Sequence, residues 1–279
     1  DAYVINPLFF PGGDIGKLSV TGTVNDLCMS GSEPMYVAAS FIIEEGFSIE
    51  QLKVIADSMQ KAAIEAGVKI IAGDTKVVER GKCDGIFITT TGIGILNDSP
   101  PLKAENIKVG DKIVVNGSLG DHTVAIINVR QNLGLNPPPE SDCAPLNEII
   151  KILLKTKKLV FARDATRGGV ATILNEIYTD SGLGIIIDET SVPVKESTSA
   201  LCGLLGLDPL YMANEGKFVA VVSDLDDNSL QKLQAHKYGN AASVIGIVTN
   251  EVQGVYLRTA IGSLRPLPML ASDPLPRIC

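Results

Sequence analysis

The chain of 279 residues contains no tryptophan, only 13 phenylalanines and tyrosines together, and two histidines. Stacking of bases on aromatic platforms is therefore not its main business, and any metal chemistry falls mostly to oxygen ligands. Basic charge is also short: 24 Lys and Arg stand against 32 Asp and Glu, a net charge of −8. A broad nucleic-acid or anionic-membrane footprint is excluded on that balance. The five cysteines, Cys28, Cys83, Cys143, Cys202 and Cys279, are widely spaced with no CxxC pair. A disulfide framework or zinc knuckle does not fit them, and reduced thiols in the cytoplasm are expected. No apolar run approaches the ~18 residues needed to span a bilayer. No basic-then-apolar leader opens the chain either, so a soluble cytoplasmic protein is expected. Both GxxxxGK[ST] and GxGxxG are missing, so a nucleotide would be held by neither a P-loop nor a Rossmann turn.

What the sequence does contain is 45% apolar residues, enough for two cores at about 150 residues per domain, and 27 glycines. Residues 1–100 carry 13 of the carboxylates against 7 basic side chains. Strand-like alternation over Tyr3–Leu8 leads to a Pro11-Gly12-Gly13-Asp14 turn. A helix is predicted over Asp14–Met29, capped by Asp14 and stopped by Gly31. A buried strand over Met35–Ile43 precedes the clearest helix, which Ser48 caps and Gly67 ends. Its Ile49, Leu52, Ile55, Met59, Ala62, Ala63 and Ala66 share one face. Strands are predicted over Lys69–Ala72 and Gly85–Gly94.

The Pro100-Pro101 to Gly110-Asp111 stretch marks a domain boundary. Strands and helices then alternate to residue 248, as in an α/β or α+β layer. The expected division is 1–105, 106–261 and a tail 262–279. Pro266, Pro268, Pro274 and Pro276 make that tail extended and hinder any central strand.

Aspartate beside glycine recurs along the chain, at Gly13-Asp14, Gly73-Asp74-Thr75-Lys76, Gly120-Asp121-His122 and Arg163-Asp164-Ala165-Thr166-Arg167-Gly168-Gly169. Asn25-Asp26, Asp1 and Asn214-Glu215-Gly216 join them. Scattered hard carboxylates suit Mg²⁺ shared with substrate phosphates, and adjacent glycines let backbone N–H groups approach those phosphates. Any one Asp-Gly pair is more simply a turn or helix cap. The Arg163–Gly169 run is more specific, because it sets a carboxylate and two guanidinium groups before a Gly-Gly helix entry that can receive phosphate.

In their order, Pro11–Leu18, Asn25-Asp26, Ala72–Val78, Gly120–His122, Arg163–Gly169, Ala213–Lys217 and the terminal Pro276-Arg277-Ile278-Cys279 resemble the HypE family of hydrogenase maturation proteins. That family lies in a superfamily with aminoimidazole ribonucleotide (AIR) synthetase, selenophosphate synthetase and thiamine-monophosphate kinase. The resemblance covers almost the whole chain. It implies an AIR-synthetase-like α/β (α+β) fold of two domains, the first a mixed sheet that forms a homodimer barrel, the second an α/β sandwich.

The same resemblance implies ATP and Mg²⁺ in a groove between the halves, and several tens of residues upstream of Asp1. Its implied reaction is ATP-dependent dehydration of a carboxamide on the C-terminal thiol to a thiocyanate, the source of cyanide for [NiFe]-hydrogenase iron. A HypF-type carbamoyltransferase would load the thiol, and a HypC–HypD complex would accept the cyano group.

Carried over by position, Asp1, Asp26 and Asp164 match metal ligands, and Cys279 the carrier. Glu215 or Asp26 would handle the proton, and Lys76 would offset phosphoryl charge. The nucleotide-binding set comprises Asp14, Lys17, Asn25, Asp74, Thr75, Lys76, Asp121, His122, Arg163, Asp164, Thr166, Arg167, Gly168, Gly169 and Asn214. Two other readings stay open at this stage: a synthetase or kinase of the same superfamily acting on a diffusible molecule, and a non-catalytic adaptor.

Overall fold

A computed structural model of the chain describes residues 1–96, 101–271 and 275–279; Pro100 of the boundary loop and Pro274 of the tail lie outside the described residues. The first half is a four-stranded mixed sheet with two helices on one face. Its elements are β1 (Ala2–Tyr3), a small hairpin of β2 (Phe9–Phe10) and β3 (Gly13–Asp14), α1 (Ile15–Met29), β4 (Ser32–Glu44), α2 (Ile49–Ala66), β5 (Lys69–Val78) and β6 (Ile86–Leu96). The sheet order is β1-β6-β4-β5, with β4 parallel to β5 and antiparallel to β6. Burial alternates along β4: Val37, Ala39 and Ile43 join Leu18, Val24, Ile55 and Met59 in the core beneath α1 and α2. The opposite face, with Tyr36, Ile42, Ile93 and Ile95, is exposed.

The second half is a three-layer α/β/α sandwich. It comprises β7 (Lys112–Val115), α3 (Asp121–Arg130), α4 (Asn147–Thr156), β8 (Leu159–Asp164), α5 (Gly169–Ser181), β9 (Gly184–Asp188), α6 (Glu196–Leu205), β10 (Phe218–Val222), α7 (Asp227–Ala235), β11 (Ser243–Thr249), β12 (Val255–Arg258) and β13 (Leu264–Pro266). Sheet order is β13-β12-β9-β11-β7-β10-β8, all antiparallel except β12 with β9.

All five residues of β10 are buried, as a strand covered on both faces requires. Val219 and Val221 pack toward α5, whereas Phe218, Ala220 and Val222 pack toward α4 and α7. Cys28 and Met29 at the end of α1 enter the α4 core, so α1 joins the two halves.

Most predicted helices and strands appear within a few residues of their expected ends, and the departures have local causes. The run Tyr3–Leu8 is not one strand. β1 stops at Tyr3, Pro7 has no N–H to offer a ladder, and the Val4 and Asn6 amides instead donate to the Cys279 and Arg277 carbonyls. The strand expected over Lys69–Ala72 continues as β5 to Val78, because β4 supplies a parallel partner as far as Glu44. The Asp74-Thr75-Lys76 run is therefore strand, not loop. β12 and β13 were not expected; β12 is held by β9, some seventy residues away, a pairing invisible to local periodicity. β13 accommodates Pro266 because it is an edge.

Candidate active site

α1 begins as its sequence dictates: the Asp14 carboxylate accepts from the Gly16 and Lys17 amides at 2.7 and 3.0 Å, a helix cap. Two turns from its end the helix must pass close to Tyr3. A Cβ on Gly22 would stand 2.3 Å from the Tyr3 hydroxyl, so glycine is required there. Gly22 and Asp26, four residues apart and hence on one face, both line a cavity of about 410 Å³. Asn25 points away from it. Its side-chain amide donates to Ala144 O at 3.1 Å and its carbonyl accepts from Leu146 N at 2.8 Å, anchoring the 144–146 segment to α1.

The opposite wall comes from the antiparallel register of β8 and β10, which sets Asp164 against Phe218. That pairing brings Glu215, three residues before Phe218, beside Asp164. The Glu215 backbone is held on both sides: its amide donates to Asp142 Oδ1 at 2.9 Å and its carbonyl accepts from Ala144 N and Asn25 Nδ2, each at 3.4 Å. Asp142 in turn pairs with Lys217 Nζ at 3.1 Å inside the protein. Gly216 allows this approach, because a Cβ there would lie 1.9 Å from the Asp142 carbonyl oxygen.

The third wall is the chain terminus. Ile278 is buried in the first core, and Cys279 lines the same cavity as Asp1, Tyr3, Asp26, Asp164 and Glu215. Thr166 and Arg167 complete the rim just ahead of α5, whose entry glycines both have positive φ, 68° and 62°. A Cβ on Gly169 would meet the Leu210 and Met212 carbonyl oxygens at 2.6 Å.

Asp26, Asp164 and Glu215 crowd this cavity, and the proton affinities of these three carboxyls respond. Burial, then the like charge of Asp164, pushes Asp26 up to about 6. Asp164 is raised mainly by burial, although Arg163, Arg167 and a hydrogen bond from Asp26 oppose it. Glu215 is raised well above the usual range by complete burial and then by Asp164, Asp142 and Asp26. Its Oε1 is buried without a hydrogen-bond partner, a costly condition unless a ligand supplies one. The four other cysteines are buried, and burial raises the Cys143 thiol to about 12.

Of the residues singled out from sequence, the fold gathers Asp1, Asp26, Asp164, Thr166, Arg167, Glu215 and Cys279 around one cavity. The others stand elsewhere in the fold. Asp14 caps α1, and Lys17 Nζ donates to Gly12 O at 2.8 Å. Asp74 and Lys76 stand on β5 in register with Ser40 and Ile42, exposed at the sheet edge, with Thr75 between them. Asp121 is buried against Thr198, Ser118 and Lys195. Arg163 pairs with Glu176. Asn214 is fully buried and binds the Gly120 amide and the Ala165 and Met212 carbonyls. Gly168 and Gly169 open α5, and His122 is buried against the tail. Sequence reasoning missed Tyr3 as a wall of the cavity and Asp142 as the holder of Glu215. Asp142 lies in a loop segment that carries no motif.

Among the described residues no three His, Cys, Asp or Glu side chains form a ready-made metal cage. Asp1, Asp26 and Asp164 nonetheless offer oxygen donors around an acid-rich cavity in which one carboxyl oxygen lacks a partner. That donor set fits a cation which keeps several waters and shares phosphate oxygens.

Comparison with known proteins extends over the whole chain. Residues 1–96 match the N-terminal domain, and residues 108–257 the C-terminal domain, of the AIR synthase related proteins. Carbamoyl dehydratase HypE of Bradyrhizobium diazoefficiens is 49% identical over 283 residues, covering 100% of this chain and 82% of that protein. A crystal structure of hydrogenase maturation protein HypE in complex with ATP superposes with a TM-score of 0.95 at 44% identity, covering 100% and 85% of the two chains. A HypE–HypF complex gives 0.93 at 47% identity, covering 97% and 89%.

Proposed function

Because this chain belongs to the HypE carbamoyl dehydratase family of AIR synthase related proteins, we propose that the cavity of Asp26, Asp164 and Glu215 dehydrates a carboxamide carried on its own Cys279. The chain is an ATP-dependent carbamoyl dehydratase of hydrogenase maturation, and a HypF-type carbamoyltransferase is its partner. The observation that carries the reading of the site is the meeting of Cys279 with three carboxyls of raised proton affinity in one cavity.

The chemistry required explains the residue types. An amide oxygen leaves poorly, so it first takes the γ-phosphoryl group of ATP and ADP departs. The nitrogen then gives up its two protons as the S–C≡N bond system forms, and the oxygen leaves as phosphate. We assign one nitrogen proton to Glu215, because a buried carboxylate with a raised pKa is the stronger base once it is ionised, and the other leaves with the departing phosphate.

Mg²⁺ held by Asp26 and Asp164, with Asp1, would offset phosphate charge and remove the two like charges that help keep Glu215 protonated. Arg167, Thr166 and the first turn of α5 would receive phosphate oxygens. Tyr3 and Ile278, both buried, line the same cavity.

The uncovered face of the first sheet, with Tyr36, Ile42, Ile93 and Ile95, and the edge strand β5 support a homodimer. In such a dimer the Asp74–Lys76 run would be covered by a second copy. Ile42→Glu, at the centre of that face, should shift sedimentation from dimer to monomer; an unchanged sedimentation coefficient would remove this face from the interface. After dehydration the cyano group would pass to a HypC–HypD complex in the cytoplasm. No described helix is long and apolar enough to cross a membrane.

The reading of the site is tested by intact mass. With carbamoyl phosphate, ATP and a HypF-type enzyme, the chain should gain one carboxamide group on Cys279 and then lose one water. Modification mapped to any other residue, or a carboxamide that persists in the presence of Mg²⁺ and ATP, would overturn it.

A further inference from the structure

The tail reaches the cavity through a set of bonds that the dehydration chemistry does not use. Two side chains of α3 donate to the carbonyls of residues 276 to 278. Arg130, at the end of that helix, donates through Nη1 to Pro276 O at 2.9 Å, through Nη2 to Arg277 O, and through Nε to Asn6 O. His122, in the first turn, meets Ile278 O at 2.7 Å through Nε2. Three consecutive carbonyls, 276 to 278, therefore end on two side chains of one helix, roughly 12 Å apart along its axis at 1.5 Å per residue.

Both donors are committed to this task. A carbonyl can only accept, so His122 carries its proton on Nε2, and its Nδ1 accepts from the Ser141 hydroxyl at 2.8 Å. Ser141 Oγ also accepts from the Cys143 amide, while the Ser141 amide donates to Pro11 O. The ring lies edge-on to Phe10, 5.5 Å between centroids. Arg130 presents a rigid fork that stays charged at any working pH. On the other side of the tail, Arg277 Nε donates to Val4 O at 2.8 Å and its Nη1 pairs with Asp84 at 2.6 Å. The tail is thus bracketed through its backbone, with the Cys279 side chain beyond the bracket.

We propose that His122 and Arg130 are positioning residues that hold the carrier tail in the dehydration pose, gripping backbone carbonyls so that the same bonds serve whatever group the sulfur carries. This assignment rests on the proposed role of Cys279 as carrier. The bracket competes with the excursion to the carbamoyl donor: loosening it favours loading and penalises dehydration. A side chain that merely supported the fold would depress both steps together.

The experiment uses the full chain with Arg130→Ala, Arg130→Lys and His122→Phe. Alkylation of Cys279 by iodoacetamide, followed by peptide mass, should run about tenfold faster in Arg130→Ala, the loss of charge-assisted bonds worth one decade. Arg130→Lys should fall between that variant and the native chain. In single turnovers of the carboxamide-loaded chain, dehydration should slow about tenfold in Arg130→Ala and His122→Phe, while loading by the HypF-type enzyme is as fast as native or faster. Native-like alkylation and dehydration in both variants, or equal loss of loading and dehydration, would overturn the bracket. Alkylation decides the point even if the native chain were never carboxamidated, an outcome that would instead overturn the carrier reading.

Discussion

Two neighbouring regions of this molecule hold polar groups out of water in opposite ways. Around the tail the described strong donors end on acceptors: Arg130 on three carbonyls, His122 on one, and Arg277 on Val4 O and Asp84. Beside it, in the cavity, Asp26, Asp164 and Glu215 crowd together and Glu215 Oε1 ends on nothing. The first region is satisfied as it stands and so fixes a pose. In the second, burial and like charge raise the proton affinity of all three carboxyls, so it is poised to bind cations and to move protons.

The comparison breaks most sharply at Glu215. Glu215→Gln keeps the volume and the hydrogen-bonding reach but can no longer accept a proton from the substrate nitrogen. Single-turnover dehydration should fall by about 10²–10⁴-fold, the usual worth of a positioned acid–base group. The melting temperature should hold or rise, because a buried carboxyl surrounded by like charge is removed. A variant that dehydrated at the native rate would transfer the base to Asp26 or another group. Loss of folding would show that Glu215 belongs with the satisfied region instead.

Asp26 gives the next effect, in stability rather than rate. Its carboxyl binds protons more tightly folded, at about 6, than at the ordinary 3.8. The stability this contributes is complete below the ordinary value and is lost as pH rises through the folded one. Asp26→Asn and the native chain should therefore melt alike near pH 4 and diverge between about pH 4 and pH 6. Above that range the variant should be the more stable. Adding Mg²⁺ with ATP at pH 7.5 should raise the native melting temperature and narrow the gap. Thermal melts across this range check both statements, and a native chain that outlasts the variant at neutral pH without ligand contradicts them.

What could be read from sequence divides along the same line. The Asp14 cap, the apolar face of α2 from Leu52 to Ala66 and the Gly67 stop of that helix are local, and each appears where expected; Ile49, in the first turn, is exposed instead. Asp26, Asp164, Glu215 and Cys279 came from motif resemblance, and the fold does bring them together. Their meeting depends on β8/β10 register and on the tail pairing with residues 4–6, contacts between segments far apart in the chain. Asp142, Tyr3 and Arg130 carry no motif at all. They matter because of which backbone group or cavity wall they reach, something residue type alone does not encode. The Gly73–Lys76 run shows the reverse case: a phosphate-loop composition that the fold places within a strand, β5.

The smallest test compares the two ends of one helix. Asp14 and Asp26 both belong to α1, but Asp14 sits at its start, where unpaired amides and the positive end of the macrodipole favour a carboxylate. Asp26 lies in its last turn, where the same dipole opposes one. Asp14→Ala should cost about 1 kcal/mol, seen as a fall of roughly 3 °C in melting temperature for a chain of this size. Asp26→Asn should move it the other way at neutral pH. Asp14→Asn separates capping from ligand binding: an asparagine oxygen still accepts from the Gly16 and Lys17 amides but brings no charge to a cation. If Asn restores the native melting temperature and the ATP-induced rise stays native, Asp14 is a cap. If the melting temperature returns but the ATP-induced rise shrinks, its carboxylate also serves the nucleotide, and α1 carries binding charge at both ends.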